Sequence, residues 1–255
     1  MSGSAAAVFV EDRDAGAVAR LHPRVRLVAA MAFVATLVPL GSAAPLAGAL
    51  AVAVALALAA RLPLGPTLRR LAAVEGFLAL LLVTLPFTMP GAEIGRVFGL
   101  AASREGLERA VVILVRVNAA VLVVAALLST MGAARLAAAM AGVGAPARLA
   151  HLFQLTVRYV AVFHDEYARM RRAMRARAFR AGSNRHSWRT LGNLVGMLLV
   201  RSVERAERVA WAMKCRGFAG RFPEFERGRM TGADLAFGLL WAALLAALVW
   251  LEFRA

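Results

Sequence analysis

Long apolar stretches fill the first half of the chain and return at its C-terminal end. Five of them approach the roughly 20 apolar residues that cross a bilayer as a helix. These stretches are Leu27–Leu40, Ala44–Ala60, Leu71–Phe87, Val111–Ser129 and Leu235–Phe253. The first is short, and the second consists mostly of alanine, a small residue that allows close helix packing in a membrane bundle. The pattern predicts about five transmembrane helices.

The segment between the fourth and fifth stretches has a different periodicity. From Leu152 to Met174 apolar residues recur every three or four positions, while arginines occupy the other faces. This spacing predicts an amphipathic helix of about eight turns. A second amphipathic helix is predicted from about Trp188 to Arg216. Both helices are too polar to span a membrane, so we expect them to pack against each other along its inner face.

Short-range signals define the break between the two amphipathic helices. The tripeptide Gly182-Ser183-Asn184 interrupts the helical pattern, and Ser187 is expected to cap the second helix. Within that helix Glu204 lies four residues before Arg208, and we expect a modestly stabilising ion pair between them.

These elements predict an all-α membrane protein with four regions. Residues 1–20 form a flexible N-terminal tail, and residues 21–130 form a membrane bundle of four spans. Residues 131–232 form a cytoplasmic region that contains the long amphipathic helices, and residues 233–253 form a C-terminal transmembrane helix.

Composition and charge favour a membrane protein with a defined orientation. Hydrophobic residues make up 61% of the chain and the mean hydropathy is +0.68, whereas about half of the residues of a soluble domain are apolar. Of the 31 lysines and arginines, 19 lie between Gly132 and Thr231, and the loop Arg61–Arg70 is also basic. The positive-inside rule therefore predicts that the N-terminus, this loop and the amphipathic helices are cytoplasmic. The mixed-charge start of the chain predicts no removable signal peptide.

The sequence has no pattern typical of an enzyme. It has no phosphate-binding loop, so ATP would have to be hydrolysed by another chain. The single Cys215 excludes an intramolecular disulfide. Four histidines lack the spacing of metal ligands: His22, His151, His164 and His186. We therefore expect no catalytic site, no metal site and no cofactor bound by this chain.

Two polar residues lie within a predicted span. Arg116 and Asn118 are functional candidates because polar side chains are costly in a bilayer. Arg116 is close to the outer end of its span, so a side chain that reaches toward the membrane surface is an equal alternative. Glu75 lies near the inner end of another span, and the predicted topology puts it too far from Arg116 to pair.

A short basic segment occurs twice in the cytoplasmic region. Residues 173–179, Ala-Met-Arg-Ala-Arg-Ala-Phe, return as residues 212–218, Ala-Met-Lys-Cys-Arg-Gly-Phe, each at the end of an amphipathic helix. The helix dipole favours a cation there, and a guanidinium can bind a carboxylate through two hydrogen bonds. Arg177 and Arg216 occupy the same position in the two copies. This favours a role in docking to a partner over simple exposure to solvent. Solvation is expected for Arg169, Arg171, Arg172, Arg180 and Arg189.

The two copies differ in the residue after the arginine. Gly217 suits the left-handed conformation that ends many helices, whereas this conformation costs about 1 kcal/mol or more at Ala178. We therefore expect the first helix to continue to Gly182 and the second to end sharply at Gly217. Four residues are candidates for setting the helix crossing, with ordinary packing as the alternative: Met170, Met174, Trp211 and Met213.

The sequence resembles the transmembrane T component of energy-coupling factor (ECF) transporters. The resemblance covers about residues 20–253 and is most specific from Leu136 to Gly220. The similar segments are Leu21–Leu27, Val143–Leu149, Leu155–Tyr159 and Asp165-Glu166. The segment Arg201–Arg208, followed by Ala212–Gly220, most resembles the CbiQ/NikQ branch associated with cobalt or nickel uptake.

The resemblance implies specific partners and docking residues. In this family two cytoplasmic coupling helices each end in an Ala-Arg-Gly signature that docks into a groove of an ATPase subunit. The matching residues are Ala176-Arg177-Ala178 and Cys215-Arg216-Gly217, each with one departure from the pattern. The implied partners are two ATP-binding ATPase subunits, a membrane substrate-binding subunit, a small accessory membrane subunit and the lipid bilayer of a bacterial or archaeal inner membrane. ATP would be bound by the partners, and nucleic acid is not expected.

Three functions remain open. The first is the T component of an ECF-type importer of Co²⁺ or Ni²⁺, which transmits the conformational change of the ATPases to the substrate-binding subunit. The second is the T component of a vitamin-type or shared ECF transporter, because the signatures contact the ATPases and not the substrate. The third is a membrane-anchored basic protein that binds anionic lipid or nucleic acid through counterion release.

Overall fold

The protein is built almost entirely of helices. The computed structural model describes residues 17–90, 92–97, 100–220 and 230–254. In these ranges a 3-10 turn, Ala17–Arg20, precedes eight α-helices. The helices are α1 (Pro23–Leu37), α2 (Ala43–Ala59), α3 (Leu64–Thr88), α4 (Arg104–Leu128), α5 (Ala133–Gly142), α6 (Ala147–Ala176), α7 (Arg185–Cys215) and α8 (Gly232–Arg254). The predicted all-α class is confirmed.

The described part of the chain divides into two compact units. The membrane unit contains residues 17–131 and 230–254, and the basic unit contains residues 132–220. The membrane unit holds α1 to α4 and α8, which carry the apolar stretches. The basic unit holds α5, α6 and α7, which carry most of the arginines.

Three helices of the membrane unit are long and apolar enough to cross a bilayer. They are Thr67–Thr88 within α3, Arg104–Leu128 and Gly232–Arg254. The other two predicted spans form α1 and α2, which have 15 and 17 residues. Both are shorter than the roughly 20 residues that a typical spanning helix needs. Three spans therefore have the required length and composition, and the count of about five stays a prediction.

The core of the membrane unit is formed by α1, α2, α4 and α8. The ring of Phe33 is fully buried and lies 5.7 Å from the ring of Trp241. The indole nitrogen of Trp241 donates a hydrogen bond of 3.0 Å to the Ala29 carbonyl. Ala53 and Ala119 are fully buried. Their small side chains allow neighbouring helices to approach closely, as in other membrane bundles.

Polar side chains fix the ends of these helices. Arg26 of α1 is 1% exposed. It donates from Nε to the Leu127 carbonyl at 2.9 Å and from Nη2 to the Thr130 hydroxyl. Near the end of α8, Glu252 accepts hydrogen bonds from the backbone nitrogens of Gly41 at 2.9 Å and Ser42 at 3.2 Å. Arg26 needs these partners because buried polar groups are costly without them. Both sets of contacts join the ends of different helices.

The polar residues predicted within a span also contact neighbouring helices. Nδ2 of Asn118 on α4 donates to Oε1 of Glu75 on α3 at 2.8 Å. Arg116 donates from Nη2 to the carbonyl of Leu40, just beyond α1. Each of these side chains therefore joins α4 to another segment of the membrane unit.

A short hairpin, which the sequence did not predict, connects α3 to α4. β1 (Glu93–Val97) pairs with β2 (Leu100–Ser103) in antiparallel fashion. At the start of α4, a Cβ on Gly106 would lie 2.6 Å from the Leu85 carbonyl oxygen and 2.8 Å from Pro86 Cα. Glycine is therefore required where the start of α4 meets the end of α3.

The second amphipathic helix begins earlier than the sequence predicted. α7 starts at Arg185 and its cap is Asn184, whose side-chain oxygen accepts from the Ser187 backbone nitrogen at 2.7 Å. The prediction that Ser187 caps the helix is wrong. Its side chain is buried, and its hydroxyl accepts from the Gly182 nitrogen at 3.1 Å. Both residue types are good caps, and Ser187 instead ties the linker to the first turn of α7.

Candidate functional site

The candidate site consists of the C-terminal ends of α6 and α7, where the repeated basic segment lies. Arg177 is the residue at which α6 ends, with φ −90° and ψ 23°. Arg216 occupies the same position at the end of α7, with φ −90° and ψ 13°. The two arginines are 39 residues apart in sequence, and their backbones are nearly identical.

The two helix ends also share one hydrogen-bond pattern. After α6, the nitrogens of Ala178 and Phe179 donate to the carbonyls of Arg175 and Met174 at 3.0 and 3.1 Å. After α7, the nitrogens of Gly217 and Phe218 donate to the carbonyls of Lys214 and Met213, both at 3.0 Å. This pair of bonds is the Schellman motif, which satisfies carbonyls that a helix end otherwise leaves without partners. The repeated sequence thus produces a repeated structure.

The expectation that the first helix continues to Gly182 is wrong. α6 ends at Ala176, and Ala178 adopts the left-handed conformation with φ 60°, beside φ 80° for Gly217. A left-handed alanine costs roughly 1–2 kcal/mol. The Schellman hydrogen bonds offset this cost, because they give partners to backbone groups that would lack them. In this motif the residue after the left-handed position packs against the last turn, and both copies supply a phenylalanine after a methionine-containing turn.

Both arginines are available to a partner. The six signature residues are all exposed: Ala176, Arg177, Ala178, Cys215, Arg216 and Gly217. Among the described residues, neither the Arg177 nor the Arg216 guanidinium has a hydrogen-bond or ion-pair partner. Each lies at the negative end of a helix dipole. Two exposed cations with no partner in the described part of the chain are therefore presented by helix ends of the same backbone geometry.

A groove of about 390 Å³ lies between α6 and α7. Its walls include Leu155, Tyr159 and Phe163 from α6 and Val209 and Met213 from α7. The apolar stripes predicted from the sequence therefore face each other here, although they leave space between them.

The residues suggested to set the helix crossing occupy different environments. Met213 lines the groove, and Met170 and Met174 are half-buried. Trp211 is 65% exposed, with the Lys214 ammonium 4.8 Å from its ring centroid. Trp211 is not among the residues that line the groove, and a cation–π contact of this kind is a modest local interaction.

Two ion pairs involve the segment Arg201–Arg208. The predicted pair between Glu204 and Arg208 is present at 3.9 Å, and both side chains are largely exposed. Arg201 instead binds the carboxylate of Glu166 on α6, and Glu166 is only 7% exposed. Sequence reasoning missed this second contact, because no local spacing indicates which arginine meets an acid 35 residues away.

The histidines do not form a metal site in the described part of the chain. No group of three histidine, cysteine, aspartate or glutamate side chains there could hold a metal ion. His22 caps α1 by accepting from the Arg24 nitrogen at 3.3 Å. His186 lies beside Phe179, with ring centroids 6.3 Å apart.

The apolar helices and the all-α fold define a multi-pass membrane protein. The sequence profile described as CbiQ, cobalt transport protein, matches residues 16–226, which is most of the chain. The chain therefore belongs to the CbiQ cobalt transport protein family. It is 30% identical over 153 residues to the cobalt transport protein CbiQ of Rhodobacter capsulatus. That alignment covers 58% of this chain and 62% of the relative, so the chain spans less than two thirds of that protein's length.

Proposed function

We propose that this chain is the T component of an ECF-type importer of cobalt ions. It would transmit the conformational change of two ATPase subunits to a membrane subunit that binds the substrate. The observation that carries the proposal is the pair of matching, exposed helix ends at Arg177 and Arg216. Co²⁺ is the favoured substrate because the matching family is described as a cobalt transport protein, and Ni²⁺ is the alternative to be measured beside it.

The chemistry of each helix end suits docking into an acidic groove. A guanidinium without an intramolecular partner can form two parallel hydrogen bonds with a carboxylate of the ATPase. The next residue is alanine or glycine, so a small side chain allows the partner's backbone to come close. The Schellman motif fixes the backbone that presents each arginine, which lowers the ordering cost of binding.

The proposed mechanism is mechanical coupling. When two ATPases bind ATP and close, the grooves that hold Arg177 and Arg216 move with them. α6 and α7 have 30 and 31 residues, so each is a helical lever of roughly 45 Å at 1.5 Å per residue. Levers of this length carry the movement from the ATPases toward the membrane. ATP binding and hydrolysis remain with the partner subunits.

Co-purification with the ATPases tests this proposal. The variant Arg177→Glu/Arg216→Glu is expected to lose the ATPases from the purified complex. The variant Arg171→Glu/Arg172→Glu is the matched control, because it makes the same change in net charge at exposed positions of α6. This control is expected to retain them. Retention by the first variant together with loss by the control would contradict docking.

The same two variants separate docking from a general basic surface. Binding of anionic lipid or nucleic acid by counterion release depends on the number of charges and little on their exact position. Both variants would then weaken vesicle or nucleic-acid binding equally. The substrate is identified by measuring uptake of Co²⁺ and Ni²⁺ into proteoliposomes that contain the complete complex.

A further inference from the structure

Glu166 is a buried acid at the contact between α6 and α7. It is 7% exposed, and its two carboxylate oxygens have different partners. One oxygen accepts from Arg201 of α7 and the other from Arg169 of α6 itself. The arginines are about half-exposed, at 48% and 57% of their side chains. Of these two contacts, only that of Arg201 joins α6 to α7.

Because Glu166 is buried, its charge requires partners close by. A carboxylate removed from water is stable as an anion only when cations or hydrogen-bond donors surround it. Arg169 lies three residues away on the same helix, so it neutralises the charge without constraining α7. Arg201 therefore fixes the position of α7 relative to this point of α6.

The apolar faces of α6 and α7 leave open space between them. The groove of about 390 Å³ lies on one side of the contact, and a second cavity of about 350 Å³ is lined by Glu166, Arg201, Arg205 and Arg208. Open space on the groove side means that the apolar side chains are not interlocked as in a dense core. The ion pair lies in the lining of the second cavity, beside the groove, and supplies a polar contact between the helices there.

The contact is well placed to relate the two docking ends. Glu166 lies ten residues before Ala176, and Arg201 lies fourteen residues before Cys215. At 1.5 Å per residue these lengths correspond to about 15 and 21 Å of helix. A small rotation of one helix at the contact would therefore displace its arginine by several times the movement at the pivot.

We propose that Glu166 is a positioning residue that joins the two coupling helices into one mechanical unit through Arg201. This inference rests on the proposed function, because it assigns the pair a role in keeping Arg177 and Arg216 at a fixed separation while the ATPases move. It also gives a role to the segment Arg201–Arg208. Arg201 joins the helices, while Glu204 and Arg208 pair within α7 on an exposed face.

The first test measures the separation of the helices in the purified full-length chain. Cys215 is the single cysteine and is exposed, so it can carry one spin label. The variant Ala173→Cys carries the second label near the end of α6. The wild-type distance distribution is expected to be narrow. Glu166→Gln and Arg201→Gln are each expected to broaden it, whereas the control Glu204→Gln leaves it narrow. The double variant should be no broader than Glu166→Gln alone, since contacting residues are non-additive.

The second test uses the reconstituted complex and measures Co²⁺ uptake for each ATP hydrolysed. Glu166→Gln is expected to retain the ATPases and to hydrolyse ATP. Its uptake per ATP should fall roughly tenfold, within the range of typical coupling between sites. Arg201→Gln should behave alike, and because its side chain is half-exposed it also serves if Glu166→Gln fails to fold. Glu204→Gln should transport normally.

Two results overturn the inference. One is an unchanged distance distribution in both single variants, and the other is uptake per ATP within twofold of wild type while the ATPases remain bound. Failure of the proposed function is recognised separately, because the wild-type chain would then not retain ATPases at all. The distance measurement on the isolated chain does not depend on docking.

Discussion

The ends of α6 and α7 have one backbone geometry and different residues at its most demanding position. After α7 this position is Gly217, for which φ 80° is unstrained, whereas after α6 it is Ala178, with φ 60°. The hydrogen bonds that end the two helices match in partners and length. At the end of α6 the hydrogen-bond pattern therefore outweighs the conformational preference of the residue in the left-handed position.

The difference also implies that the two ends are not equally stable. Ala178 bears a conformational cost of about 1–2 kcal/mol that Gly217 avoids. The end of α6 should therefore open more readily than the end of α7, although both present an arginine in the same frame.

The largest effect is expected when both arginines are reversed. A hydrogen bond to a charged group contributes about 1.5 kcal/mol or more, so each reversal should weaken ATPase binding at least about tenfold. Arg177→Glu/Arg216→Glu should weaken it at least about a hundredfold. The affinity of purified ATPases for the chain in nanodiscs measures this, and the two single variants show whether the ends contribute equally. Wild-type affinity in the double variant would refute the docking assignment.

The start of α7 serves as a reference for its end, because the side chain of Asn184 caps it. Asn184→Ala should destabilise the first turn by about 1 kcal/mol. Hydrogen exchange at the Ser187 amide, which donates to Asn184, should then be roughly fivefold faster. Exchange at the Phe218 amide, at the other end of α7, should not change. Equal acceleration there would mean that the two ends of α7 are not independent.

Gly217→Ala should make the end of α7 resemble the end of α6. Alanine bears the cost of the left-handed conformation but loses less backbone freedom than glycine on folding. The stability of this helix end should therefore fall by about 0.5–1 kcal/mol. Exchange at the Phe218 amide should rise two- to fivefold. Gly196→Ala is the matched control, since this glycine is within α7 with open space around its Cβ position. The control should slow exchange locally, because alanine is the better helix former.

Ala178→Gly should have the smallest effect and the opposite sign. Glycine removes the strain of a left-handed alanine but loses more backbone entropy on folding. The net effect should stabilise the end of α6 by about 0.5 kcal/mol. The Phe179 amide should exchange about twofold more slowly. Ala173→Gly, inside α6, should instead speed exchange, because glycine is unfavourable within a helix. Faster exchange in both variants would show that Ala178 is not strained.

The apolar pattern predicted most of the fold because hydrophobic periodicity acts over a whole helix. The spans within α3, α4 and α8 and both amphipathic helices follow from it. The hairpin Glu93–Ser103 was missed because its strands have five and four residues, too few for a clear alternation. The cap of α7 was misplaced because Asn184 and Ser187 are both suitable and only the folded chain selects between them.

The candidate site was predictable in part. The register of Arg177 and Arg216 is visible in the sequence because the basic segment repeats. The left-handed conformation of Ala178 could not be predicted in this way. Alanine disfavours this conformation, and the hydrogen bonds that stabilise it form only in the folded chain. The contact between Glu166 and Arg201 was missed for a different reason. It depends on the packing of two helices, which residue spacing within one helix does not specify.

The central claim is that each helix end contacts an ATPase. The most direct measurement is photo-crosslinking within the intact complex from a photoreactive amino acid placed at Ala176 or at Cys215, the residues directly before the two arginines. Glu108, exposed near the start of α4 in the membrane unit, is the control position. We expect a covalent adduct with an ATPase subunit from each of the first two positions and none from the third. Adducts from neither helix end, or equal adducts from Glu108, would contradict docking.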